Sequence, residues 1–195
     1  MKLNLPNKLT VIRFILSPAI LVAMILNFPF HYAVALLIFL IASITDYFDG
    51  KIARDKHLIT DFGKFLDPIA DKMITTAAYL GFTVLKIGYG IVWITFMVLL
   101  REFIVASVRM VVASEGKVIA ANIWGKTKTV MQMVAIIATL VFCAVLDCSL
   151  LNLSDTLKLA IEIFYSVLLW VSGIFTLISG ITYITANKDF INSNK

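Results

Sequence analysis

Residues 45–71 read TDYFDGKIARDKHLITDFGKFLDPIAD, and within them Asp46, Asp49, Asp55, Asp61, Asp67 and Asp71 make up half of the chain's 12 acidic residues. The stretch is entered from an uncharged run, Ala33–Thr45, and left into another, Met73–Leu85. It reads as two consecutive helices that turn acidic where they meet. Asp46 and Asp49 are three residues apart and Asp67 and Asp71 four. On helices each pair shares a face, separated by about 60° and 40° around the axis.

Outward from this stretch, six apolar segments follow one another, at roughly 10–30, 33–54, 63–85, 87–113, 127–147 and 160–185. Of the 195 residues 61% are hydrophobic and 15% charged, with mean hydropathy +0.96. A soluble domain is about half apolar and about a quarter charged. The composition therefore predicts an all-α integral membrane protein, a six-helix bundle forming one domain over residues 1–195. Nine Gly, four Pro and two Cys exclude a collagen, a disordered tail and a disulfide scaffold. Cys143 and Cys148 read as ordinary buried thiols. Met1–Leu9 alternates polar residues with leucine and predicts a short interfacial segment. The first apolar run ends in Asn27-Phe28-Pro29-Phe30, not in a small-residue cleavage site, so an uncleaved anchor is expected.

The net charge of +5 fits cytoplasmic loops facing anionic headgroups and predicts no nucleic-acid partner. Cations gather before the first segment, between the second and third, between the fourth and fifth, and in the C-terminal tail; only Lys86 and Lys158 fall on the other side. Both termini are then expected in the cytoplasm. Segments two, three and four are uncharged only over Ala33–Thr45, Met73–Leu85 and Ile87–Leu100. Each rises about 20 Å, against a hydrocarbon core about 30 Å thick. Three helices thus become charged at one depth, which predicts a polar chamber open to the cytoplasm and walled by segments two to four.

Four carboxylates converging from two helices repel one another unless cations bridge them. Oxygen donors without His or Cys suit Mg²⁺ or Mn²⁺ and argue against zinc. Gly50 and Gly63 remove side chains where helices or a phosphate approach, and Arg54 can offer a fork to a diphosphate. Pro68 either starts or kinks the third helix.

The spacing D-x2-D-G-x2-A-R-x8-G-x3-D-x3-D, complete as Asp46, Asp49, Gly50, Ala53, Arg54, Gly63, Asp67 and Asp71, resembles the signature of the CDP-alcohol phosphatidyltransferase family. The resemblance implies a two-metal centre held by Asp46, Asp49 and Asp67, with Asp71 as both ligand and general base. It also implies contacts from Gly50, Arg54 and Thr60 to a CDP-lipid, close helix packing at Ala53 and Gly63, and a homodimer. Two cations can neutralise a diphosphate and keep Asp71 ionised to accept an alcohol's proton.

The signature specifies the donor more closely than the acceptor. Arg101 and Arg109 lie in an otherwise apolar segment, and GKTKT brings Lys126 and Lys128 to the start of the fifth. So many cations suit an acceptor carrying a phosphate; the alternative for the lysines is a role as cytoplasmic topology markers. The opening NLPNKLTVIR, the Arg101-Glu102 pair followed by Arg109, and WGKTKT resemble the bacterial phosphatidylglycerophosphate synthases over nearly the whole chain. That resemblance implies CDP-diacylglycerol as donor, sn-glycerol 3-phosphate as acceptor and CMP as product. It places Asn7, Thr10 and Arg13 near the nucleotide or the chamber rim; as plain helix entry, Thr10 would cap and Arg13 would snorkel. The remaining motifs are weaker. His31 and His57 fall on opposite sides, and Trp93, Trp124 and Trp170 read as interface anchors. Rival readings keep the fold with inositol phosphate, serine or phosphatidylglycerol as acceptor, or make the Asp cluster the ion site of a small cation transporter. A transporter would place its site near the midplane, often on repeats, and no repeat is visible.

Overall fold

The computed structural model describes residues 4–55, 61–114, 123–148 and 153–188, with side chains described throughout except at 5–6, 47–55, 61–65, 67–68, 71 and 113–114. The described residues form helices and no strand: α1 Leu5–Ile25, α2 His31–Asp55, α3 Asp61–Val84, α4 Ile91–Ser114, α5 Ile123–Asp147 and α6 Asp155–Ala186. The expected interfacial segment is not separate from Leu5 onward. Pro6 sits in the first turn of α1, where a missing N–H leaves no bond unmade, and the helix runs through Leu9. Pro68 lies inside α3, which begins at Asp61.

The α3–α4 connection shows why the fourth helix starts at Ile91 and not at residue 87. Ile87 N–H donates to Phe82 O at 2.8 Å and Lys86 N–H to Thr83 O at 3.2 Å, with Lys86 at φ 56°. That pair of bonds is a Schellman ending, here with lysine in the left-handed position. Gly88 and Gly90 follow at φ 93° and 69°, so the turn consumes the residues up to Gly90. It is clipped to α6: Trp170 Nε1–H donates to Tyr89 O at 2.8 Å, and Tyr89 N–H to Ser166 Oγ at 3.2 Å.

The helices close a circuit. α1 packs on α2 and α3, α2 on α5, α5 on α6, α6 on α4 and α4 on α3, with α3 also touching α2 and α5 across the middle. Phe39, Tyr79, Phe82, Ile94, Ile136, Leu140 and Leu169 fill the centre. Many of the polar groups inside pair with one another across helices, as lipid surroundings favour. Tyr79 Oη and Ser172 Oγ are 2.8 Å apart, Thr83 and Thr95 hydroxyls 2.7 Å, and Gln132 Nε2 donates to Thr176 Oγ1 at 3.1 Å. Small residues on α6 admit α4 closely: a Cβ at Gly180 would lie 3.1 Å from Arg101 Cγ, and one at Gly173 3.3 Å from Ile94 Cγ2.

The outside is apolar as well, with Ile15, Trp93, Phe103 and Met110 exposed. A bundle apolar on both faces belongs in a bilayer, and the chain is a multi-pass membrane protein. Among the described residues four helices are long and apolar enough to cross: Asn7–Ile25, Ile91–Val112, Ile123–Asp147 and Asp155–Ala186. α2 is apolar over the shorter His31–Asp46, and α3 does not qualify, in line with their early acidic residues. α4 qualifies by length and composition although it carries Arg101 and Glu102, whose side chains are largely buried. Cys143 and Cys148 are both free thiols.

Candidate active site

A cavity of ≈ 510 Å³ opens between α2, α3, α4, α5 and α6. Each wall follows from helical spacing. Phe39, Ser43 and Asp46 project from one face of α2; Glu102, Val105 and Arg109 from one face of α4; Gly125, Thr129 and Gln132 from α5; Ser179 and Tyr183 from α6. A cavity thus lies between α2, α3 and α4, where the sequence places one between segments two and four, with α5 and α6 as additional walls.

At the acidic end, Asp46 lines the cavity with its side chain 47% exposed, and Arg13 Nη1 donates to its Oδ1. Asn7, Thr10, Arg13 and Ser17 form one buried face of α1, and Ser17 Oγ donates to Arg13 O at 2.9 Å. Arg13, 1% exposed, is thus an interior cation holding a signature carboxylate, and it does not snorkel at a lipid rim. Asp49, Gly50, Ala53 and Arg54 continue along α2, and Gly63, Asp67 and Asp71 lie along α3. The side chains of Asp49, Ala53, Arg54, Asp67 and Asp71, and the whole of Thr60, lie outside the described residues. α2 and α3 touch, so the two Asp pairs of the signature stand on adjoining helices. The chemistry present suits a hard divalent cation: Asp46 offers oxygen to the cavity, and among the described residues no His or Cys lines it.

The opposite wall is cationic. Lys72, Arg101, Arg109, Lys126 and Lys128 line the cavity. The structure divides the four that the sequence places together. Lys128 Nζ donates to Glu102 Oε1, Arg101 Nη1 donates to the same oxygen at 2.9 Å, and Lys72 Nζ lies 3.7 Å from Oε2. Arg101 Nη2 also donates to Ser179 Oγ at 3.0 Å. Arg101 and Lys128 are buried, as charges can be only when paired. Arg109 and Lys126 are exposed to the cavity, and neither forms an ion pair among the described residues.

Glu102 is the residue that sequence reasoning passed over. Beside Arg101 it reads as a local ion pair, whereas it joins cations from α3, α4 and α5. The signal was available: a carboxylate in the middle of an apolar helix is rarely incidental.

The chain is 35% identical to the CDP-diacylglycerol–glycerol-3-phosphate 3-phosphatidyltransferase of Bacillus subtilis, over 98% of each chain. It is 33% identical to the protein of the same name from Rickettsia bellii, over 96% of this chain and 97% of that one. A probable phosphatidylglycerophosphate synthase of Mycobacterium tuberculosis is 40% identical across 68% of this chain and 64% of its own length. The family model for CDP-alcohol phosphatidyltransferases matches residues 3–181, from α1 with its buried Arg13 to the α6 turn that carries Ser179. The chain belongs to the CDP-alcohol phosphatidyltransferase family.

Proposed function

We propose that the protein transfers the phosphatidyl group of CDP-diacylglycerol to sn-glycerol 3-phosphate and releases CMP. The observation that carries this reading is one cavity with a signature carboxylate, Asp46, on one wall and two cations without an ion pair among the described residues, Arg109 and Lys126, on another. The names of the Bacillus and Rickettsia relatives support the same donor and acceptor.

Asp46, Asp49, Asp67 and Asp71 would hold two divalent cations, Mg²⁺ or Mn²⁺. Bound there, such ions neutralise the diphosphate and the charge that develops as CMP departs. Gly50, Arg54 and Thr60 bind the donor's CDP moiety, and Arg13 fixes the carboxylate of Asp46. Asn7 and Thr10, which share a buried face of α1 with Arg13, contact the donor as well. Arg109 and Lys126 bind the acceptor's phosphate by charge-assisted hydrogen bonds and turn its hydroxyl toward the acidic end. Asp71 accepts the hydroxyl proton. The oxygen attacks the β-phosphorus, the bond from that phosphorus to the oxygen of CMP breaks, and CMP leaves with the electron pair. Arg101 and Lys128 keep Glu102 and the cationic wall in place.

The charge distribution supports six membrane spans in one domain, both termini in the cytoplasm and a site open to that side of the cell membrane. The reading includes a homodimer.

Purified protein in lipid nanodiscs, given CDP-diacylglycerol, Mg²⁺ and a panel of alcohols, tests the proposal by CMP release. Release is expected with sn-glycerol 3-phosphate. Release with serine, inositol phosphate or phosphatidylglycerol but not with sn-glycerol 3-phosphate would refute the acceptor.

A further inference from the structure

Arg101, Lys128 and Lys72 converge on one carboxylate, Glu102, whose side chain is 12% exposed. Arg109 stands two turns further along α4 on the same wall, and Lys126 precedes Lys128 on α5. Without Glu102 the wall would present five cations, enough for two phosphate groups. With Glu102 in place, Arg101 and Lys128 are each bonded to a protein oxygen, and Arg109 and Lys126, without ion pairs among the described residues, are left to capture an anion.

We propose that Glu102 is a specificity determinant: by saturating Arg101 and Lys128 from within the wall, it confines anion capture to Arg109 and Lys126 and limits the cavity to an acceptor with one phosphate group. The inference rests on the reading of this cavity as the site of a phosphate-bearing acceptor. Glu102 touches no substrate and acts as a positioning residue. Its removal exposes two buried cations whose nearest replacement anion is a second phosphate. A carboxylate with a purely structural role would change stability and leave anion affinity alone.

The test is equilibrium dialysis of radiolabelled inorganic phosphate against the full chain in lipid nanodiscs with Mg²⁺, which requires no turnover. Glu102→Gln should bind phosphate at least about 10-fold more tightly than wild type, the size expected for a newly available charge-assisted contact. Glu102→Gln/Lys128→Gln, which restores the wall's net charge, should stay within about threefold of wild type, whereas Lys126→Gln should weaken binding about 10-fold. Folded Glu102→Gln protein that binds phosphate no more tightly than wild type overturns the proposal. If that variant is not recovered folded, the double variant decides: a loss as large as that of Lys126→Gln would make Lys128 itself a phosphate ligand. Absence of phosphate binding by wild type would also overturn it. Wild type that binds phosphate but transfers nothing to sn-glycerol 3-phosphate would refute the acceptor assignment and leave the role of Glu102 standing.

Discussion

Replacing Asp46 by asparagine should destabilise the protein as well as inactivate it, and the two partners of the Arg13–Asp46 bond should respond unequally. Arg13 is 1% exposed and Asp46 47%. Asparagine still offers an oxygen to Nη1, but the buried guanidinium loses the negative charge of this partner. Removing one partner of a fully buried pair costs about 3–5 kcal/mol. Water at the half-exposed carboxylate already screens this pair, which lowers the expectation to about 1–3 kcal/mol. A domain of this size loses about 2–4 °C in melting temperature per kcal/mol, so Asp46→Asn should melt roughly 2–12 °C lower. Arg13→Met removes the buried charge and leaves a carboxylate that water can reach, so its loss should be the smaller. Arg13→Met/Asp46→Asn should melt close to Arg13→Met, because the bond to Asp46 is already gone once Arg13 is replaced. Thermal unfolding in detergent with excess chelator, followed by tryptophan fluorescence, isolates the pair from any bound ion. Asp46→Asn melting with wild type while Arg13→Met melts lower would refute the reasoning.

Arg109→Gln or Lys126→Gln should raise the KM for sn-glycerol 3-phosphate about 5- to 30-fold, one charge-assisted contact discounted for exposure. The KM for CDP-diacylglycerol should hold within about twofold, and Lys188→Gln serves as a surface control; initial rates with each substrate varied would show an equal rise in both if the assignment were wrong. Excess chelator should abolish transfer and added Mg²⁺ or Mn²⁺ restore it, while Asp71→Asn should lower kcat more than donor affinity; full turnover with metal verified absent would overturn the metal assignment. Gly90→Val places a branched side chain at φ 69° with its Cβ 3.0 Å from Trp170 Cζ2, so it should cost at least about 1–2 kcal/mol and lower the melting temperature. Transfer at low temperature should survive that change, since the turn lies away from the cavity.

The helices were legible because each apolar run ends in charges or in Gly and Pro, and the carboxylate pairs carried their own register at spacings of three and four. The boundaries shifted where local backbone chemistry outweighed hydropathy. Pro6 starts α1 well before the first apolar run, and the left-handed Lys86, Gly88 and Gly90 delay α4. The cavity's acidic and cationic ends were legible as residue types. Their division of labour was not. Whether Lys128 meets a ligand or Glu102 depends on how α4 and α5 are rotated against each other, and no spacing within one helix contains that angle. Arg13 was ambiguous for a similar reason: its burial requires α2 and α3 to cover one face of α1.

The bundle is also a wall of uneven height. α2 is uncharged from His31 up to Asp46, a rise of roughly 24 Å, whereas α6 is uncharged from Ile163 to Ala186, a rise of roughly 36 Å. Lipid touching both cannot match both, and hydrophobic mismatch is relieved by thinning the bilayer beside the shorter side. A bilayer thinned beside α2 would draw the water surface toward Asp46 and bring a lipid headgroup near the depth of the acidic residues. Its acyl chains stay in their own leaflet while the polar end reaches the cavity. The protein brings the interface to the lipid, and no lipid has to be lifted out of the membrane.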